Sequence, residues 1–448
     1  MAGSVSDGNV LELFKKVYGS ITDIQPNDFK FARLFPFEAS KRVGEEFRQA
    51  LILTAETGIT LGGSDMDAFD ILPPVAGSVK QTSIKPYATV LASVIPWGVL
   101  SRAAADNDPR SFMDATKFIV KNNLKSHNKF LEILRIHGQS SKMLGRVSYA
   151  TATYRGVSLT AGAGTINGVA FATGGVNTSA KAILLAPGDF AAGIWVGMEG
   201  MNVCEVDANN AIVAEGKLIG VDAEYGFIYV DFVPVAASST TSHRLCIKGM
   251  EESKEAIGMR QILTTTSGNL FGIPVANYSL FKPVSVNCNS EKFSFVKFSV
   301  GVGQAINRGG LGDGAEGDGD LEIFVNPRTW ATLINTEAGR RQYDDSYKST
   351  EAENGQEAIV FHTEAGRAAI MSHRMMMEGD AAAVSKGTWI RSGSTEISFK
   401  VPGSTKDLIF PLENQAGMAF RSFSDQYMLC MQPSKNIWFY GINDESNT

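Results

Sequence analysis

Histidine and cysteine are scarce in this chain: five histidines and four cysteines among 448 residues. The cysteines, Cys204, Cys246, Cys288 and Cys430, stand far apart and form no CxxC. His243 and Cys246 make an HxxC, but no second ligand pair follows at the spacing of a structural zinc site. Scattered thiols of this kind read as reduced, mostly buried side chains of a cytosolic protein. The histidines, His127, His137, His243, His362 and His373, include no pair at ligand spacing on one predicted helix. His373, in MSHRMMM, falls in a predicted strand and reads as structural. Long apolar runs are also missing. The most apolar stretch, Ala88 to Leu100, is too short to span a bilayer and contains Pro96. The N-terminal MAGSVSDGNVLELFKK lacks the basic start and apolar run of a signal peptide. Neither export by such a signal nor a membrane partner is expected.

Catalytic and cofactor motifs are lacking as well. No GxxxxGK[ST] phosphate loop, GxSxG elbow or HExxH helix occurs. GVGQAI, from Gly301 to Ile306, starts like a dinucleotide fingerprint but has no third glycine and follows no clear βαβ strand. No catalytic residue, cofactor or metal is assigned. The net charge of −6 argues against a general nucleic-acid binder, though it leaves room for a local basic face.

What is present is an ordinary globular composition, 44% hydrophobic and 20% charged, in a chain long enough for two or three domains. The first sixty residues mix short helical patterns, such as LELFKKVYGSI, with turn signals. PNDFKFARLFPFEAS carries Phe29, Phe31, Phe35 and Phe37 without a clean period, which suggests an arm that packs on something else. Gly62 to Ser83 is rich in Gly, Ser, Asp and Pro, a long loop or extended hairpin of the kind that reaches a neighbour. The clearest element follows. Asp108 is a plausible N-cap, Pro109 a natural first helical residue and Gly138 a stop, which predicts a helix roughly 40 Å long. Met113, Val120, Leu124, Leu131 and Leu134 recur at helical spacing, and Lys117, Lys121, Lys125 and Lys129 recur every four residues on another face.

From Thr178 to Met250 the pattern becomes β. MNVCEV, NAIVAEGKLIGVDA, YGFIYVDFVPV and HRLCIKG read as short strands of an acidic module inserted between two parts of another domain. Beyond it, SEKFSFVKFSVGVGQAI reads as a helix started by Ser290, and EAIVFHT, RAAIMSHRMM, STEISFKV and NIWFYGI read as strands. Between them the loop GGLGDGAEGDGD, with Asp313, Glu316, Asp318 and Asp320, alternates acid and glycine. Calcium takes oxygen ligands from such loops, but the spacing is not that of an EF-hand, and a solvated turn is the plainer reading. In LEIFVNPRTWATLI the apolar segment stops at Asn326 and Pro327 starts a helix, a strand-to-helix corner. An arm, a long loop, a long helix and a β insertion suit assembly better than catalysis, because extended parts bury little within their own chain.

The order of these elements resembles that of the major capsid proteins of tailed bacteriophages, with the Hong Kong 97-type fold. IHG at the helix end, GMRQILTTTSGNLFGI (Gly258 to Ile273), AINRGG followed by the loop and FVNPRTWATL, and SHRMMMEGDAAAV match the family's segments in sequence order. The resemblance implies an α+β fold with an N-terminal arm over 1–60 and an extended-loop region over 61–100. The spine helix and first part of the peripheral domain would take 101–177, an inserted β-rich domain 178–250, and the rest of the peripheral domain with the axial domain 251–448. It implies no enzyme activity. It implies identical copies forming pentamers and hexamers of an icosahedral shell around packaged double-stranded DNA, held without sequence specificity. Portal, scaffold or decoration proteins are the further partners such shells take, and the protein would reside in the virion after assembly in the host cytoplasm. On this reading Phe29, Phe31, Phe35 and Phe37 touch a neighbouring subunit. At least two of Lys117, Lys121, Lys125 and Lys129 face the DNA. Two alternatives stand beside it: an encapsulin-like compartment enclosing enzyme cargo, and a cytosolic hydrolase with an unrecognised site.

Overall fold

The computed structural model describes residues 29–39, 45–61, 76–96, 109–148, 153–154, 157–158, 164–171, 175–236, 242–311, 321–338, 359–400, 409–411 and 417–444. The LELFKKVYGSI segment, most of the loop from Gly62, and the acidic loop with Asp313, Glu316, Asp318 and Asp320 lie outside them. The architecture is α+β, as the element order predicts.

The long helix runs from Pro109 to His137. Its C-terminal half is more deeply buried than a single apolar stripe requires. Leu131, Ile133 and Ile136 are in the core, and so are the polar Asn123, His127, Glu132, Arg135 and His137. Each of these five is tied to a partner on another element or, for Glu132 and Arg135, to each other as well. The residue that turns left-handed at the helix end is Gln139, at φ 51°, and Gly138 is required for a different reason. The glycine N–H donates to Leu134 O at 2.7 Å, and its carbonyl accepts from Gly258 N at 2.9 Å. A Cβ on Gly138 would lie 2.1 Å from the Ala256 carbonyl, and one on Gly258 2.5 Å from the Gly138 nitrogen. Backbone meets backbone there with no side chain between.

Two sheets and two helices make the rest of the frame. A six-stranded sheet has the order Val284–Asn287, Ile437–Tyr440, Asp380–Ser385, Leu321–Val325, Gly366–Ser372, Ile359–Thr363. Helices Phe295–Asn307 and Pro327–Ala338 cover it, and Phe293, Phe298, Val302, Leu333 and Phe439 fill the space between. The first of these helices begins later than the sequence suggests. Asn289 and Ser290 sit at φ 55° and 58°, outside helical space, so Ser290 cannot open it. Ser294 does, accepting from Lys297 N. The second sheet is built on the fourteen-residue strand Gly417–Cys430. That strand pairs antiparallel with Trp389–Ser398, with Ile409–Pro411, and over ten residues with Tyr87–Pro96.

The β-rich stretch forms a six-stranded antiparallel sheet, from Val176–Asn177 to Arg244–Ile247. It is one hydrogen-bonded unit but not a self-contained core. Val203, Val206, Leu218, Val230 and Leu245 share a cluster with Ile133 and Ile136 of the long helix and with Met259, Ile262 and Leu263. Residues 144–147 also bond along its edge strand, with Leu245 N donating to Gly145 O at 2.9 Å. No helix among the described residues is long and apolar enough to cross a membrane.

Candidate assembly interface

The arm closes onto the body of its own chain through a short helix, Lys30–Leu34, and a strand, Phe37–Ala39. Phe31 and Phe35 stand four residues apart and so share one face of the helix. Both are almost fully buried, 1% and 2% exposed. Their rings meet edge to face at 4.8 Å, and they pack on Phe324 and Trp389. This corrects the expectation that these two reach an adjacent subunit: their partners lie about three hundred residues away in the same chain, which no local pattern could reveal. Phe29 is half-buried. Phe37, also half-buried, lies under the Arg391 guanidinium at 5.6 Å.

Glu132 of the long helix completes this anchor. Its carboxylate, wholly buried, accepts from Phe31 N at 2.7 Å and Ala32 N at 3.2 Å, so it satisfies the first donors of a helix that has no cap of its own. The same carboxylate pairs with Arg135 at 3.2 Å and His373 at 3.3 Å. Arg135 goes on to Gln426 Oε1 at 2.9 Å, and Arg391 donates to Phe35 O at 2.7 Å and to Glu396. Burial, with Arg391 nearby, lowers the Arg135 pKa to about 10, still a cation at neutral pH. Arm, long helix and central sheet are thus joined by one buried charge network, in which removal of one member strands the others.

The second part of the arm behaves differently. Phe47–Ile52 and Val79–Ile84 pair as an antiparallel ribbon from Phe47–Ile84 to Ile52–Val79. Its base is fixed: Phe47 stacks on Tyr427 at 5.4 Å, Ile84 is buried, and Ser83 N donates to Phe271 O at 2.8 Å. Its far end is held too, by the buried Leu53 and by the Ser78 hydroxyl at 3.1 Å from the Tyr278 hydroxyl. Yet Ile52 there is 77% exposed and Val79 58%, and in the chain just beyond the strand Ile59 is 71% and Leu61 89% exposed. Single exposed aliphatics are common, but four on and just beyond one two-stranded ribbon are apolar surface that the described residues leave uncovered. Glu45 and Glu46 near the base are engaged by Lys85 and Arg48 of the same chain, and the Ser83 hydroxyl and Arg48 hold the Glu46 carboxyl below its usual pKa.

The lysine ridge divides. Lys129 is half-buried and donates to Val196 O at 2.7 Å; burial, with Arg374 nearby, lowers its pKa to about 8. It is a strut to the end of the short helix Ala192–Trp195, which lies between two strands of the β-rich sheet in sequence. Lys121 is exposed and Lys125 half-buried, while the Lys117 side chain lies outside the described residues.

At the strand-to-helix corner Asn326 accepts from Arg328 N at 2.9 Å and donates to Met376 O at 2.7 Å, and Thr329 donates to Asp444 at 2.6 Å. The corner is a joint, as its sequence suggests. The buried histidines are structural. His127 bonds to Thr89 and Ser422, His137 to Met375 O, and His243 to Glu205 in place of Cys246. His373 lies just beyond the strand that the sequence placed it in. A polar cleft of about 370 Å³ opens beside Lys142, Arg146, Asp189, Arg328 and Glu378. Asp189 pairs there with both Lys142 and Arg146, and Glu378 faces Arg328, so each cation named has a carboxylate in reach.

No protein-family model matches the chain, and no curated protein does. Solved structures do. The chain is similar to the capsid protein of cyanophage A-1(L), with a TM-score of 0.54, 8% identity and 96% of each chain covered. The capsid of a native GTA particle gives a TM-score of 0.47 at 8% identity, covering 95% of this chain and 94% of that one. The SrpI encapsulin of Synechococcus elongatus PCC 7942 gives 0.40 at 6% identity, covering 99% and 97%. The cyanophage match spans nearly the whole of both chains and shows the fold: this is the Hong Kong 97-type capsid architecture that the order of sequence elements implies.

Proposed function

We propose that the chain is the major capsid protein of a tailed bacteriophage. Copies assemble into pentamers and hexamers of an icosahedral shell that encloses double-stranded DNA. The observation that carries this reading is apolar surface on and just beyond the ribbon, Ile52, Ile59, Leu61 and Val79, left exposed among the described residues of a chain with a capsid fold. A second subunit is a surface that such side chains can pack on. The role is structural, without catalysis or cofactor. The protein assembles in the host cytoplasm and ends in the virion, where portal, scaffold or decoration proteins join it. The β-rich sheet of Val176 to Ile247 faces outward, because its acidic excess on the inner wall would repel the genome. Lys117, Lys121 and Lys125 screen phosphates on the inner side without reading sequence.

Electron microscopy of the purified protein tests this. Rings of five and six subunits, or closed shells, are expected, and particles from infected cells should protect double-stranded DNA from nuclease. A small soluble oligomer at every concentration, or shells filled with protein cargo and no DNA, would overturn the reading. Changing Lys117, Lys121 and Lys125 to Gln should leave empty shells normal and weaken genome retention at low salt. Unchanged retention would remove the lysines from that role.

A further inference from the structure

Two of the four cysteines meet. Cys204 and Cys246 stand directly opposite each other on the adjacent antiparallel strands Asn202–Val206 and Arg244–Ile247. Both are fully buried, and their Sγ atoms are 2.7 Å apart. Residues so paired have Cα atoms about 4.5 or 5.5 Å apart, and both values fall inside the range that a disulfide spans, about 4.4–6.8 Å. Glu251 is the third potential ligand nearby, with Oε2 3.6 Å from Cys204 Sγ, but that oxygen already accepts from Gly249 N at 2.6 Å. Two thiolates on one tetrahedral zinc would stand about 3.8 Å apart, and a fourth ligand would be needed. The geometry is closer to a sulfur–sulfur bond than to a metal site. Cys288 and Cys430 provide an internal contrast. Cys288 lies in the core of the Val284–Asn287 sheet, and Cys430 meets Asn436 and Thr388.

We propose that Cys204 and Cys246 form a disulfide site, reduced in a reducing compartment and closed by exchange with a small disulfide such as glutathione disulfide outside it. One protein thiolate attacks a glutathione sulfur and releases glutathione thiolate. The second protein thiolate then attacks the mixed disulfide and releases another. The protein loses two electrons and two protons, and one glutathione disulfide becomes two glutathiones. Cys204 beside it, together with burial, holds the Cys246 thiol well above its usual pKa, so the reaction is slow at neutral pH and speeds up as pH rises. The bond joins residues 42 positions apart and closes a loop of chain that contains the longest strand of the β-rich sheet, Ile212–Asp222. It ties that sheet's edge strand to its neighbour. This inference does not depend on the shell reading.

The test uses the full chain, folded, incubated with glutathione disulfide at neutral and raised pH. It is then blocked with N-ethylmaleimide in denaturant and mapped by peptide mass spectrometry. The expected result is a chain lighter by two hydrogens, with the Cys204 and Cys246 peptides linked and Cys288 and Cys430 alkylated. Titratable thiols fall from four to two, and Tm rises over the reduced protein. The C204A/C246A variant should show no rise in Tm with oxidant. Both cysteines alkylated at every pH, each carrying separate glutathione, or stoichiometric zinc released by chelator from the purified protein would overturn the proposal.

Discussion

The arm helix and the ribbon lie within sixty residues of each other, and both are rich in apolar side chains, yet they are resolved in opposite ways. Phe31 and Phe35 find Phe324 and Trp389 of their own chain, and Glu132 seals the helix end. Ile52, Ile59, Leu61 and Val79 stay largely exposed among the described residues. Apolar character alone therefore does not mark an interface; what marks it is apolar surface left over once the fold has taken what it can reach. The comparison predicts that damage to the first region is felt in the subunit, and damage to the second only in assembly.

The largest effect on subunit stability belongs to the junction. Glu132→Ala leaves Arg135 buried without its partner and the arm helix without its acceptor, and should cost about 3–5 kcal/mol in urea unfolding. Phe31→Ala should cost a similar amount, about 3–5 kcal/mol, and render the arm susceptible to limited proteolysis. A loss under about 1 kcal/mol for either would mean that the arm is not held as described.

Acid should act on the same side of the comparison. Burial, aided by Arg135, lowers the His127 pKa from 6.5 to about 4, and burial, aided by Arg260, does the same to His137. Both are neutral in the folded protein while the unfolded chain takes up protons below pH 6.5. Stability is therefore complete above that pH and falls progressively towards pH 4, by on the order of 2–3 kcal/mol for each histidine. His127→Gln should flatten part of the slope in a pH series of urea midpoints. A slope unchanged in that variant would assign the acid loss to other groups.

On the ribbon, Ile52→Ser with Leu61→Ser should change subunit stability by less than about 0.5 kcal/mol yet abolish rings and shells in electron micrographs. Normal assembly by this variant would deny the apolar end its role. The smallest effect is expected at Lys121: its change to Gln should leave the thermal midpoint unaltered, whereas Lys129→Gln should lower it, because Lys129 carries the contact to Val196 O.

Much of the fold was legible where its causes are local. Pro109 and Gly138 mark the long helix, although Asp108 lies outside the described residues; an apolar segment marks Leu321–Val325, turn signals separate the strands of the β-rich sheet, and Asn326-Pro327 marks the corner. The candidate interface was less legible because its causes are distant. The Phe31–Phe35 spacing is a helical signal, but five residues are too few to show a period, and the acceptor that allows the helix lies at Glu132. The strand Gly417–Cys430 escaped notice because three different partners share its length, and the two longer ones, Trp389–Ser398 and Tyr87–Pro96, are not its neighbours in sequence. The lysine spacing is real, yet spacing says nothing of what stands opposite, and Val196 O took Lys129. The opposed cysteines were visible only as an HxxC, since their meeting depends on the register between two strands.

The bare contact between Gly138 and Gly258 has a consequence for how freely this sequence can drift. A methyl group at either position would run into carbonyl or amide atoms. Beside this contact, Gln139 N donates to Glu255 Oε1 at 2.8 Å and Gln139 Nε2 to Glu255 O at 2.7 Å. The apolar residues around this point can be exchanged for others of similar bulk, and the long helix will still end at the same distance from the strand-rich body. Pinned at such a point, an architecture tolerates wide turnover of its lettering while forbidding almost any change at two glycines.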